Sequence, residues 1–323
     1  VAERVYREET QATQEHGAGK PPGERRPTAG WWRRNQRAYT PYLFLLPFFS
    51  IYCVFMLYPI LDALRLSFFE AGGFGTPEFI GLGNYRQLLE DPRYLKALEN
   101  TTIYTLASIF ILSPIALILA VTIRSFVVPW ATFKSFYRLT FFLPFITSLV
   151  VVALMFNVVF DPNYGLLNAF LTSIGLPQLG WLRSPDLALP SVIMVGIWTY
   201  VGINSLYFLA GLQNIPDELH EAAAVDGAGR VKTFFYVTLP LLKPVILFVV
   251  VQATIFSYQL FELPFLLTGG GPSDATLTLA IYLYETGFRQ FDRGYASAIG
   301  YSMALIAIAI AATQLYLYRR LER

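Results

Sequence analysis

Between Leu187 and Leu209 the chain reads LALPSVIMVGIWTYVGINSLYFL, without one Lys, Arg, Asp or Glu. A helix needs about 20 mostly apolar residues to cross the hydrocarbon core of a bilayer, and this run supplies them. Five more stretches pass the same test: Tyr42 to Leu61, Thr101 to Ile123, Leu139 to Phe160, Val245 to Phe265 and Ala296 to Tyr318. Pro47, Pro59, Pro114 and Pro144 fall inside them, and neighbouring helices in a bundle can accommodate such prolines. Bulk composition agrees. Hydrophobic residues make up 55% and charged ones 14%, where a soluble domain carries about a quarter charged; the mean hydropathy is +0.48. The fold class expected is an all-α membrane protein with six transmembrane helices.

The loops between these runs orient the bundle. Arg33, Arg34 and Arg37 precede the first run, and Arg124, Lys134 and Arg138 follow the second. Arg230, Lys232 and Lys243 lie between the fourth and fifth, and Arg319, Arg320 and Arg323 close the chain. The alternate loops are poorer in Lys and Arg, so the positive-inside rule puts both termini in the cytoplasm. An even number of crossings requires the same. The polar residues ahead of the first run, within 1–38, have no hydrophobic signal core and read as a disordered cytoplasmic tail ending in an interfacial anchor at Trp31 and Trp32.

Several chemistries are excluded. The net charge of +2 is spread over loops and gives no nucleic-acid footprint. Cys53 is the one cysteine, and His16 and His220 stand far apart, so neither a disulfide nor a metal site is indicated. Gly17-Ala18-Gly19-Lys20 lacks the Ser or Thr that should follow a phosphate-loop lysine, and Pro21-Pro22 stands where a helix should start. No catalytic residue and no cofactor of its own is expected in this chain.

Directly beyond the quoted run comes Gly211-Leu212-Gln213-Asn214-Ile215-Pro216-Asp217-Glu218, then Glu221-Ala222-Ala223-Ala224-Val225-Asp226-Gly227-Ala228-Gly229. Pro216 suits the first turn of a helix, and Asp217, Glu218 and Glu221 complement the positive end of its dipole. Gly227 permits a turn, and Pro240 and Pro244 mark where the chain bends back toward the membrane. The expected product is a short surface helix within about 212–236, between two crossings. An ordinary amphipathic surface loop would account for the composition equally well.

The spacing is more specific. Glu221-Ala222-Ala223, three residues, Gly227, nine residues, Val237, one residue, then Leu239-Pro240 resembles the signature loop of ABC importer membrane subunits. Phe79 to Tyr85 with Glu99-Asn100-Thr101, and Leu267 to Pro272 with Thr276, Tyr282 and Gly294-Tyr295-Ala296, resemble the external loops of the carbohydrate group, the maltose and glycerol-3-phosphate type. The resemblance covers Pro41 to the C-terminus. It implies a type I ABC importer permease fold over 39–323, in the plasma membrane of a bacterium or archaeon. It also implies that the loop is a coupling helix seated in an ATPase subunit, with Glu221 and Asp226 as polar contacts, Ala222, Ala223 and Gly227 as the close-packed face, and Ala228, Leu239 and Pro240 as further coupling residues. Implied partners are a second homologous permease, two ATPase subunits that bind ATP and Mg, an external solute-binding protein, and membrane lipid.

For the solute path, aromatic faces together with amides and hydroxyls suit a sugar, and polar groups inside a span tend to face a cavity or a neighbouring helix. The fourth run offers Trp198, Thr199, Tyr200, Asn204 and Tyr207; the fifth offers Gln252, Thr254, Ser257, Tyr258, Gln259 and Glu262. By resemblance to the maltose type, Phe145, Thr199, Tyr200, Ile203, Phe256 and Ser257 fall at pocket positions, several of them more apolar than a disaccharide pocket needs. The alternative function of these residues is interhelical packing. Ala296, Ala298, Gly300 and Ala304 are expected to pack against the partner permease. The expected cargo is a sugar or oligosaccharide, with glycerol-3-phosphate or a polyol as the alternative. A secondary transporter or channel would need repeated halves and intramembrane ionisable relays, which the sequence does not offer.

Overall fold

The computed structural model describes residues 31–73, 75–126 and 140–321. The expected tail over 1–30, Lys134, Arg138 and Arg323 lie outside them, as do the side chains of Trp31 and Trp32. The chain separates into two units, Val1–Ile60 and Leu61–Arg323. In the first, helix α1 (Trp31–Tyr52) runs into a widened turn at Cys53–Leu57 and the start of α2 (Tyr58–Leu66). Every side chain from Tyr39 to Ile60 is exposed. A helix apolar all round requires lipid or protein around it.

In the second unit, a two-stranded hairpin, β1 (Phe69–Glu70) and β2 (Glu78–Phe79), pairs Phe69 with Phe79. Then come α3 (Gly83–Glu90), α4 (Pro92–Ala107), a wide turn Ser108–Leu112 and α5 (Ser113–Phe126). Short helices α6 (Thr140–Ile146), α7 (Leu149–Val159) and α8 (Leu166–Ser173) precede the long α9 (Pro185–Gln213). The quoted run thus lies inside one unbroken helix, started by Pro185 at its first turn. After the surface helices α10 (Asp217–Val225), α11 (Arg230–Thr233) and α12 (Leu239–Leu241) come α13 (Lys243–Tyr258), α14 (Glu262–Thr268), α15 (Leu279–Tyr284) and α16 (Arg293–Leu321).

Among the described residues, four helices are long and apolar enough to cross a membrane, and two bent pairs raise the number to six. The expected run Leu139 to Phe160 is one of the bent pairs: α6 and α7 meet at 109°. Ser148, with extended backbone, ends α6 and begins α7. The other pair bends by 67° between Leu241 and Lys243, in the interval bracketed by Pro240 and Pro244. The fifth run also ends earlier than its hydropathy suggests, at Tyr258, with Gln259 to Phe261 turning the chain into α14.

Prolines explain three of the wide turns; a fourth, Glu285–Arg289, precedes no proline. A proline inside a helix donates no amide hydrogen, and its ring clashes with the carbonyl four residues earlier. Pro59, Pro114 and Pro240 each follow a five-residue π-type turn, Cys53–Leu57, Ser108–Leu112 and Phe234–Thr238, that encloses that carbonyl. The residue before each proline donates five residues back: Tyr58 to Cys53, Ser113 to Ser108, Leu239 to Phe234. The accommodation is therefore made within the helix, not only by neighbouring ones.

At the end of the unit away from the α10 loop, the matched motifs turn out to be braces. Asn84 Nδ2 donates to the Ser67 and Phe69 carbonyls at 2.9 Å each. Buried Asn100 donates to the Asp274 and Leu277 carbonyls at 2.8 and 2.9 Å. Arg93 pairs with Asp274 at 2.8 Å and Glu285 at 3.0 Å, and the Arg93 hydrogen bond holds the Asp274 carboxyl below its ordinary value. Burial pulls Asp91 upward, but hydrogen bonds from Tyr282 and Tyr295 and two backbone amides outweigh it, and its carboxyl also sits low. Ala298, expected against a partner subunit, is instead buried in this chain's own core in one cluster with Tyr94, Leu279 and Tyr295, and Ala296 is buried against Gly287; of that set Ala304 is exposed.

Candidate functional site

The loop after α9 forms a helix because its sequence satisfies both ends. Pro216, in extended conformation, precedes the first turn, which carries Asp217 and Glu218. At the far end Gly227 has φ +76°, the left-handed conformation that costs a side-chain-bearing residue. The Gly227 amide donates to the Ala224 carbonyl at 3.1 Å and the Ala228 amide to Ala223 at 2.9 Å. This is the paired bonding of a Schellman turn, with glycine at the position following the cap. The chain then reverses through Gly229 into α11 and runs past Leu239-Pro240 to the 67° bend.

The result is a surface helix held at both ends and open along its length. Glu221, Ala222, Asp226 and Gly227 are exposed; Ala223 and Ala228 are half-buried. Val225 is 88% exposed and Tyr236 80%, apolar surface that the described residues leave open. Leu239 is half-buried and Pro240 exposed. From beneath, Arg124 of α5 reaches the loop: Nη2 donates to Asp217 Oδ1 at 2.8 Å, and Nη1 to the Leu212 carbonyl.

Further along the same helices lies a cavity of about 460 Å³. Three helical faces build it: Tyr104, Ser108 and Leu112; Tyr200, Ile203, Asn204 and Tyr207; Gln252, Phe256 and Ser257. Phe145 of α6, Gln259, Phe261 and Glu262 close it. The expected Phe145, Tyr200, Asn204, Phe256, Ser257 and Gln259 are all brought together there. Trp198 and Thr199 are not among the lining residues. Tyr200, Ile203, Asn204 and Tyr207 share one stripe of a 3.6-residue period, which turns Trp198 to the opposite face, edge-on to Phe156 at 5.2 Å. Thr199 is buried and donates to the Val195 carbonyl at 2.8 Å. Thr254 and Tyr258 are likewise buried in helix contacts.

The cavity is more polar than the six positions taken from the maltose type suggest. Ser108 meets Ser257 at 3.3 Å, and Gln252 Nε2 donates to the Tyr207 hydroxyl at 3.3 Å. The Gln252 carbonyl oxygen is buried without a partner. Tyr104, Tyr200 and Tyr207 line the same cavity. None of the lining residues is Lys or Arg, and Glu262 is the carboxylate among them. Tyr104 and Ser108 had a signal in sequence, polar groups midway along a run, yet no periodic argument distinguished their face from the packed one.

A family model for the binding-protein-dependent transport system inner membrane component matches residues 113–323, the span that holds both the loop and most of the cavity wall. The chain belongs to this family. It is the membrane-embedded permease subunit of an ATP-driven, binding-protein-dependent importer. Relatives of this family include the probable ABC transporter permease protein YurN of Bacillus subtilis, 38% identical over 289 residues, covering 88% of this chain and 98% of the relative. The arabinooligosaccharides transport system permease protein AraP of Halalkalibacterium halodurans is 38% identical over 285 residues, 88% of this chain and 89% of its own. The lactose transport system permease protein LacF of Rhizobium radiobacter is 36% identical over 283 residues, 86% and 93%. Among solved structures, a bacterial ABC transporter involved in import of the acidic polysaccharide alginate superposes with a TM-score of 0.79 at 25% identity, over 90% of this chain and 99% of that one. The same transporter is also known in complex with its alginate pentasaccharide-bound periplasmic protein. The type I permease fold of the family is therefore the fold of this chain.

Proposed function

We propose that this permease carries a neutral sugar or oligosaccharide, pairs with a second homologous permease, and is driven through the α10 loop by two ATPase subunits that bind ATP and Mg. In this reading Glu221 and Asp226 are the polar contacts of the loop, Ala222, Ala223 and Gly227 its close-packed face, and Ala228, Leu239 and Pro240 further coupling residues. The observation that carries it is the capped, outward-facing helix: apolar and charged side chains stand exposed on a segment whose ends are fixed. A solvated connector has no need for such rigidity. The sugar assignment is supported by the arabinooligosaccharide and lactose permeases among the relatives and by a cavity of aromatic faces and amides. Its lining residues include Glu262 but no Lys or Arg, which disfavours the phosphorylated cargo considered as an alternative.

Two outcomes are expected. Purified complex, supplied with its binding protein, should hydrolyse ATP faster with a neutral oligosaccharide than without, whereas this chain freed of ATPase subunits should hydrolyse none. Stimulated hydrolysis by the isolated chain would contradict the whole assignment. The same reading puts the loop and both termini in the cytoplasm. In a Cys53→Ser background, cysteine at exposed Ser273 should react with an impermeant reagent added to intact cells, and cysteine at exposed Lys232 should not. Equal labelling from outside would overturn this orientation.

A further inference from the structure

We propose that Arg124 is the positioning residue that makes the coupling helix and two cavity-forming helices move as one body, an inference that rests on the ATPase-docking role of the loop. Arg124 lies in the last turn of α5, with its side chain 24% exposed. Its two guanidinium nitrogens serve different elements. One donates to the carbonyl of Leu212, in the final turn of α9, where carbonyls lack an intrahelical partner. The other donates to Asp217, the first residue of α10, at 2.8 Å.

Between these contacts lies only the joint Asn214–Pro216, which links α9 to α10. Ile215 packs into the buried α5–α9 cluster and its amide donates to the Leu212 carbonyl at 3.3 Å, so the α9 side of the joint is fixed; without the Asp217 contact, a push on α10 would be absorbed as rotation about Pro216. The planar fork of arginine fixes two directions at once, which the single ammonium of lysine does not. Asp217 is 83% exposed, and an ion pair so open to water adds little to folding stability. The contribution of the pair is geometric.

What the clamp holds together explains its placement. Ala116, Ala120 and Ile123 of α5 pack against Phe208, Leu209 and Leu212 of α9 in one buried cluster. The α4–α5 helix brings Tyr104 and Ser108 to the cavity, and α9 brings Tyr200, Asn204 and Tyr207. Displacement of α10 is thus passed through Arg124 to two walls of the solute cavity together.

The test uses the full importer in proteoliposomes with its binding protein. Arg124→Gln should retain ATPase subunits and basal hydrolysis, while solute-stimulated hydrolysis and uptake fall roughly tenfold, in the range of a typical coupling term. Arg124→Lys should recover part of the loss, and Asp217→Asn should show a smaller loss of the same kind. Fully stimulated hydrolysis and uptake in assembled Arg124→Gln would overturn the clamp. Should Arg124→Gln fail to assemble, full stimulation in Asp217→Asn would overturn it equally. A cysteine at Val225, in the Cys53→Ser background, separates this from the underlying reading. Crosslinking to an ATPase subunit with intact stimulation in Arg124→Gln removes only the clamp; no crosslink in the otherwise wild-type importer removes the docking role as well.

Discussion

Replacing Gly227 with Asp is expected to abolish solute uptake while leaving the subunit folded and inserted. The structure gives this expectation a sharper form than the sequence did. Among the described residues nothing lies within 4 Å of where a Cβ on Gly227 would sit, so none of them clashes with a side chain there. The remaining internal cost is conformational, since φ is +76°, and a left-handed L-residue costs about 1–2 kcal/mol, with Asp and Asn among the more tolerant. That loosens the turn without unfolding six crossings. A complete loss of uptake must then come from the space being occupied by a partner, or from the Ala228–Ala223 bond being lost at the contact. Gly227→Asn separates the two: it tolerates the left-handed turn as well as any side chain can, so loss of uptake in both variants points to a partner seated over the glycine. Purified Gly227→Asp importer should show fewer bound ATPase subunits or little stimulated hydrolysis, with binding of solute to the external protein unchanged. Normal assembly together with normal stimulation would leave the loop as a solvated connector.

What sequence made legible follows from the range of the interactions. The loop could be read because its determinants are local: Pro216 ahead of the helix, acids in its first turn, and glycine where the Schellman turn demands a positive φ. Hydropathy likewise located the apolar segments, four of them long single helices and two of them bent pairs, since lipid exposure acts on whole segments. It did not locate the 109° bend at Thr147–Ser148. Two hydroxyl residues are a slight interruption of a long apolar run, although Ser148 suits the N-cap position it takes. Trp198 was expected in the path on residue type, and Thr199 on residue type and on its resemblance to a maltose-type pocket position, whereas the helical phase set by Tyr200, Asn204 and Tyr207 decides which side chains reach the cavity. Ala296 and Ala298 illustrate the converse limit: small residues allow close packing but do not say against what, and here the neighbours belong to this chain, Gly287 for Ala296 and the buried core for Ala298. The Arg124 contacts span 88 and 93 positions. Its charge was legible as an orientation signal; its partners were set by tertiary packing.

Gly202→Val is expected to prevent recovery of a monodisperse importer, or to lower its melting temperature by roughly 5 °C or more, as a loss of a few kcal/mol would do. Gly202 lies in α9, and the place of its absent side chain is filled by the carbonyl group of Phe141 in α6. Inserting carbon into a packed core typically costs 1–3 kcal/mol, occasionally more, when side chains can shift. Here the obstacle is backbone, which cannot rotate away, so α6 must lift off α9. That movement reaches the solute path directly. Phe145 projects from α6 to within 6.3 Å of the Tyr200 ring, and both line the cavity. Any Gly202→Ala importer that survives purification should therefore show weaker solute-stimulated hydrolysis alongside its lower melting temperature. Gly180→Ala provides the comparison, because a Cβ there meets its nearest neighbour at an ordinary 3.7 Å, and it should melt as the wild type does. If Gly202→Val also melts as the wild type and transports normally, then α6 does not rest on α9 at this point, and Phe145 is not held over the cavity by the contact described.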